Sequence, residues 1–371
     1  MNILVTGSNG FIGRNLVAWL QRRENVKVIP FDLGNTSTEL DTGLATADWV
    51  FHLAGVNRPQ LESEFQTGNV DFTILVCNRL SAFGRAVPIV LTSSVQAARD
   101  NPYGISKRQA EEMIKAYAQQ SGANAIIYRL KNVFGKWCQP NYNSVVATFC
   151  HNIAHDLPIN VTDPKLELDL VYIDDVVQSL SRHLEAIPSK GITMLEVEPS
   201  YRVTLGNLAD LIRSFRQMRK TLQVPNFADE FTQKLYATFL SYLEPDDFAY
   251  ALEQKCDARG CLAEFMKSSP FGQVFISRTY PGVTRGNHYH HTKTEKFLVL
   301  EGQAIIRFRS ILDGPVIEYH VTGEEFQVVD IPPGYTHSIE NVGTNELVTL
   351  FWSSEILNPA QPDTNALMVL Q

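Results

Sequence analysis

At 371 residues, 44% of them hydrophobic and 19% charged, the chain is longer than a usual single domain and can bury more than one core. A net charge of -8 at pH 7 without any basic run argues against nucleic acid or an anionic membrane surface as the main partner. No apolar run approaches membrane-spanning length, and the first residues already read as a strand, not as a secretory leader. Five scattered cysteines, Cys77, Cys138, Cys150, Cys256 and Cys261, predict buried free thiols in a reducing cytoplasm.

Apolar runs at 3–5, 26–31, 49–53, 89–91 and 125–128 read as buried strands, with stretches of helical period between them. That alternation predicts an α/β, doubly wound parallel sheet. A further helical block covers 204–220 and 229–240. It ends in LEPDDF at 243–248, where a proline and three acidic residues mark a boundary between 1–243 and 244–371. Beyond it, short β-type runs at 272–277, 297–300, 304–308, 326–331 and 347–352 alternate with glycine and proline turns, predicting a small all-β barrel.

TGSNGFIG, directly after the first strand, sets Gly7, Gly10 and Gly13 at the mouth of a helix. The first allows the tight turn, the second lets backbone approach a pyrophosphate, and the third lets helix and strand pack closely. Asp32 closes the second strand, where a carboxylate accepts from an adenosine ribose. Coenzyme choice is contested: Asp32 repels a 2′-phosphate and favours NADH, whereas Arg14 can reach that phosphate and favours NADPH. LTSSVQAARDNPYGISK then puts Ser93 and Ser94 at a strand end, with Tyr103 and Lys107 one helical turn apart. The ammonium below the phenol is expected to lower the tyrosine pKa, leaving Tyr103 to donate a proton to a carbonyl while Ser94 hydrogen-bonds the same oxygen.

On these residues, 1–243 resembles an extended short-chain dehydrogenase/reductase of Rossmann-like fold, the branch acting on nucleotide sugars. The segment His52-Leu53-Ala54-Gly55 resembles the one lining the cofactor, and Asn132 matches the asparagine facing the sugar nucleotide. The resemblance implies a nicotinamide coenzyme, NADPH by preference, with Ser94, Tyr103 and Lys107 as the catalytic three. Only nine positions separate Ser94 from Tyr103, fewer than in many relatives, so a loop near the substrate is trimmed.

GVTRGNHYHHTKTEKFLVLEG at 282–302 fits the cupin pattern, with His288, His290 and Glu295 between Gly282 and Gly302; PPGYTHSIEN follows at 332–341 with His337. His288 and His290 alternate on a strand and face one side. With Glu295 and His337 they offer three imidazoles and a carboxylate, suited to zinc or another first-row divalent metal. The same stretch, with Arg285, is also similar to metal-free keto-sugar epimerases acting on deoxythymidine-diphosphate sugars. That likeness implies His288 as the base removing the α-proton and Lys296 as the cation steadying the enolate; the proton-donating tyrosine of those epimerases falls near Leu350. His288 is thus claimed as ligand and as base.

Over essentially its whole length the chain resembles the bifunctional capsular-polysaccharide enzymes and their O-antigen counterparts. The resemblance implies C-3 epimerisation of a UDP-2-acetamido-2,6-dideoxy-4-hexulose in the cupin, NADPH reduction at C-4 to the L-talose sugar, a homodimer and zinc. Two alternatives stay open: a reductase whose cupin only dimerises or binds sugar, and a cupin oxygenase with a vestigial nucleotide domain.

Overall fold

The computed structural model of the chain describes residues 1–186, 191–312 and 314–371. The chain divides into two compact units, Met1–Arg213 with Lys234–Leu243, and Ser214–Gln233 with Glu244–Gln371. The segment Ser214–Gln233, read from the sequence as part of 1–243, therefore packs with the second unit. Backbone bonds explain it: Lys267 donates to the Leu222 carbonyl, and Val224 donates to that of Lys267.

The first unit carries a parallel sheet in the order Lys27–Phe31, Asn2–Thr6, Trp49–His52, Ile89–Ser94, Ala125–Leu130, Ile192–Leu195. Successive side chains on a strand point to opposite faces, and here both faces are buried. Leu4, Val50, Leu91 and Ile127 enter one core; Ile3, Val5, Phe51, Val90 and Ile126 enter another. Such strands read as continuous apolar runs, which is why they stood out in the sequence. From Asn2–Thr6 the chain goes first to Lys27–Phe31 on one side, then to Trp49–His52 on the other. That reversal sets a switch point at the carboxyl ends of Asn2–Thr6 and Trp49–His52, the usual ligand position in such sheets. A small sheet of Asn132–Phe134, Glu167–Tyr172 and Tyr201–Thr204 was not anticipated, because its strands are short and partly exposed.

The second unit holds two antiparallel sheets. One runs Gln254–Asp257, Gly260–Ser268, Gly272–Thr279, Leu347–Ser353, Glu295–Glu301, Val328–Ile331, and the other runs Ile317–Thr322, Gln303–Ser310, Tyr335–Asn341, Thr284–Tyr289, Asn365–Ala366. Phe297, Ile306, Phe308, Ile339 and Phe351 fill the core between them, with Phe351 stacked on Phe275 at 4.8 Å between centroids. One sequence expectation fails here: Cys256 and Cys261 form a disulfide. They face each other in register across the first hairpin, a juxtaposition that composition alone does not reveal.

Candidate functional sites

At the switch point, Gly7 takes the left-handed conformation with φ 69°. A Cβ on Gly13 would lie 2.0 Å from the Gly7 carbonyl oxygen, so the helix Phe11–Leu20 can close on the strand only with glycine there. Leu53, Ala54 and Gly55 follow the neighbouring strand Trp49–His52 and lie beside this turn; a Cβ on Gly7 would meet Ala54 at 2.7 Å. Asp32 accepts from the Asn9 N–H at 2.7 Å, while Arg14 donates to the Asn9 carbonyl at 2.9 Å. The two residues with opposite coenzyme preferences therefore bind the main chain of the same residue of the glycine turn, Asn9. This cradle of backbone and small residues fits the pyrophosphate and ribose of a nicotinamide dinucleotide.

The helix Pro102–Ser121 starts where expected, with Asn101 capping the Gly104 N–H at 2.8 Å and proline at its first position. A 3-10 turn, Val95–Ala98, fills the short interval between Ser94 and Tyr103. Tyr103, Lys107 and Glu111 fall four residues apart and share one helix face. The Lys107 ammonium lies 5.9 Å from the Tyr103 ring centroid and donates to the Thr92 carbonyl at 3.2 Å. Burial pulls the Lys107 pKa down to about 8, against the opposing charge of Glu111. Glu111 itself is fully buried and accepts from Ser93 at 2.5 Å and from Arg129 at 2.9 and 2.6 Å. Ser93 is thereby committed elsewhere, and the Ser94 side chain reaches the Tyr103 phenol. The expected lowering of the Tyr103 pKa does not hold: burial raises it, and Ser94 offsets this only in part. The physical reason is that removing a phenolate from water outweighs a cation sitting beyond hydrogen-bond range.

Sequence reasoning missed Asn69, buried in the π-helical turn Gln66–Asp71. Its carboxamide accepts from the Val56 N–H at 2.8 Å and donates to the Val56 carbonyl and the Ser106 hydroxyl, each at 2.9 Å. Ser106 donates to the Tyr103 carbonyl at 2.8 Å. Asn69 thus ties the loop after Gly55 to the helix of Tyr103; nothing in its stretch of sequence marks it. His52, fully enclosed between Thr6 and Thr73, is held neutral by burial and by the Lys107 charge, with a pKa of about 3. Asn132 is exposed on the small sheet and donates to the Asp169 carbonyl at 3.3 Å.

In the second unit, a bulge at Asn287 (φ 58°) re-aims the strand Thr284–Tyr289, so that His288 pairs in register with His337. The ligand atoms of His288, His290, Glu295 and His337 all lie within 4.8 Å of one another. His290 donates through Nδ1 to the Asp363 carbonyl, which leaves a lone pair on Nε2. The Nε2 atoms of His290 and His337 are buried without a hydrogen-bond partner among the described residues, and both face Glu295 Oε2, at 3.4 and 3.5 Å. Unpaired imidazole nitrogens converging on one carboxylate fit a zinc-type cation. Burial would raise the Glu295 pKa, but His290, His337 and Lys293 together hold it well below the carboxylate range. Burial, with the charges of His337 and His290, lowers His288 to about 4.

Lys296 does not join this set. Glu295 points inward on its strand, so its neighbour points outward; Lys296 is half-exposed and paired with Asp330. Leu350, in register with the outward Leu298, lies on that outer face too. The cation that does enter the site is Lys293, whose Nζ is 3.2 Å from Glu295 Oε1 and nearly buried. Arg285 donates to the Thr279 hydroxyl at 2.9 Å and has its pKa lowered by burial and by nearby Arg259.

Residues 3–194 match the NAD dependent epimerase/dehydratase family, and residues 255–365 match the polysaccharide biosynthesis C-terminal domain. A Pseudomonas aeruginosa protein, UDP-2-acetamido-2,6-beta-L-arabino-hexul-4-ose reductase, is 45% identical over 369 residues, 100% of this chain and 99% of its own. The crystal structure of the capsular polysaccharide assembling protein CapF from Staphylococcus aureus aligns over 100% of both chains at 45% identity, with a TM-score of 0.93. The chain is a CapF-like member of the NAD dependent epimerase/dehydratase family. A UDP-glucuronic acid 4-epimerase from Bacillus cereus, at 16% identity and a TM-score of 0.55 over 65% of this CapF-like chain and 98% of its own, shares the fold alone. No helix among the described residues is long and apolar enough to cross a membrane.

Proposed function

We propose that the chain acts on a UDP-2-acetamido-2,6-dideoxy-4-hexulose in two ordered steps, C-3 epimerisation in the second unit and C-4 ketone reduction in the first. The observation that carries this reading is the presence in one chain of two separate polar centres: Ser94, Tyr103 and Lys107 beside a dinucleotide turn, and three imidazoles with a carboxylate. Supporting it are the reductase name of the Pseudomonas relative and the full-length likeness to CapF.

In the reduction, bound NADPH, with NADH as its competitor, supplies the hydride. Tyr103, held protonated, gives its proton to the carbonyl oxygen, Ser94 hydrogen-bonds that oxygen, and the Lys107 ammonium supplies positive charge beneath them. Asn132 is assigned to the sugar nucleotide. In the second centre we assign His288, His290, Glu295 and His337 to one zinc or similar divalent ion, which supplies a positive charge next to the substrate when bound. A nitrogen lone pair given to a metal is not free to accept a proton, so His288 serves as ligand and not as base. Arg285 is assigned to the substrate's anionic portion, and the working form is assigned as a homodimer.

One observation favours a narrower reading. Lys296, the residue whose match implied enolate stabilisation, faces away from the centre, which is the placement expected if this unit only binds sugar or pairs subunits and the chain is a C-4 reductase. Product analysis decides between them. With NADPH and a panel of UDP-4-keto sugars, mass and NMR assignment should show reduction at C-4 together with inversion at C-3. Reduction with C-3 unchanged overturns the two-step reading, and no turnover of any UDP-4-keto sugar overturns both.

A further inference from the structure

The residues nearest the carboxyl terminus touch every stretch that brings a ligand to the second centre. The Asp363 carbonyl accepts from His290 Nδ1, which fixes the tautomer that presents Nε2 toward Glu295. The Asp363 carboxylate gathers the N–H groups of His291, Thr292 and Lys293 at 2.9, 2.7 and 2.9 Å, and the Thr292 hydroxyl at 3.0 Å. Those three residues form the turn between His290 and Glu295, and the turn delivers Lys293 Nζ to Glu295 Oε1 at 3.2 Å. Glu295 Oε2 is the oxygen left facing His290 and His337.

The following residues continue the pattern. Ala366 pairs with His288 and Asn365 with Tyr289, and the Leu367 and Val369 N–H groups donate to the Asn287 carbonyl and side chain at 3.0 and 3.1 Å. The bulge that re-aims His288 is thus pinned from outside. The Thr336 hydroxyl, next to His337, donates to the Leu367 carbonyl. Arg309 anchors the far end through the carbonyls of Val369 and Met368 at 2.9 and 2.7 Å. An edge strand that merely extended a sheet would need only its ladder bonds. Here a carboxylate spends its acceptors on the turn between two ligands, and a carbonyl orients a ligand imidazole.

We propose that residues 363–369 are a latch that sets the geometry of the metal centre, with Asp363 as its positioning residue. The inference rests on the metal reading above and goes beyond it, by assigning the site's order to a segment that contributes no ligand. Outer partners of metal-bound histidines orient the ring and hold the ligand basic, and their loss weakens affinity by roughly 10- to 100-fold.

The test uses the full chain, stripped of metal and titrated with Zn²⁺ against a chromophoric chelator. Wild type should bind one ion tightly, and His337→Ala should lose it. Asp363→Ala keeps the backbone carbonyl but releases the turn that positions it against His290, and should bind roughly 10-fold more weakly, the low end for a lost outer partner. Its Co²⁺ complex should show displaced visible bands, a readout of ligand geometry that a general loss of stability does not move. Should Asp363→Ala fail to fold, Asp363→Asn, which keeps one side-chain acceptor oxygen for the turn, should give a smaller loss of affinity in the same direction. Unchanged Zn²⁺ affinity and an unchanged Co²⁺ spectrum in a folded Asp363 variant, with His337→Ala still deficient, overturn the latch while leaving the metal reading intact. Absence of binding by wild type overturns both.

Discussion

At Tyr103, burial and the Ser94 side chain pull the phenol in opposite directions, and burial wins. A phenol kept protonated is a proton donor, so Tyr103→Phe should slow NADPH oxidation by roughly 100- to 10,000-fold while changing coenzyme affinity, read by fluorescence titration, far less. Residual turnover above about a tenth of wild type would remove Tyr103 from this role. Lys107 yields a second expectation. Its pKa of about 8 is set by burial with Glu111 opposing, so the ammonium is present below that pH and lost as pH rises through it. Reductase kcat should therefore fall on the alkaline side of about pH 8. Glu111→Gln removes the charge that raises this pKa, so the alkaline limb should move to lower pH; a limb that stays put or moves upward contradicts the role. The pairing of Tyr103 with Lys107 was legible because a helix puts residues four apart on one face. The direction of the tyrosine shift was not, because burial is set by distant segments. Asn69 was hidden for the same reason, since its value lies in contacts with Val56 and Ser106.

Strands were most legible where both faces are buried, as in Asn2–Thr6 and Ile89–Ser94, and least where they are short and exposed, as in Asn132–Phe134. Strand parity also decides a residue role. The motif spacing pointed to Glu295, which the fold turns inward beside His290 and His337, whereas the likeness pointed to its neighbour Lys296, and adjacent side chains on a strand lie on opposite faces. Lys296 and Asp330 are both solvent-facing, and such pairs contribute about 0–1 kcal/mol. Lys296→Met should accordingly leave deuterium exchange at C-3, followed in heavy water, within about threefold of wild type. A loss beyond about tenfold would mean that Lys296 reaches the substrate despite its direction on the strand.

For the whole molecule, the order of the two steps follows from carbonyl chemistry. A carbon beside a ketone loses its proton because the resulting enolate spreads charge onto oxygen, and protein cations or donors aimed at that oxygen lower the barrier further. Once C-4 is reduced the acidity is gone, so inversion at C-3 must come first. The two centres sit in separate compact units, and their activities should part cleanly in mutants. Without NADPH, Tyr103→Phe should still exchange the C-3 proton for deuterium at the wild-type rate, because nothing in its unit is needed for that step. His337→Ala should lose exchange, yet still oxidise NADPH when given the sugar already inverted at C-3. The crossed outcome, with exchange lost in Tyr103→Phe and kept in His337→Ala, would place both proton transfers beside the dinucleotide turn and leave the carboxyl-terminal unit a binding or pairing module.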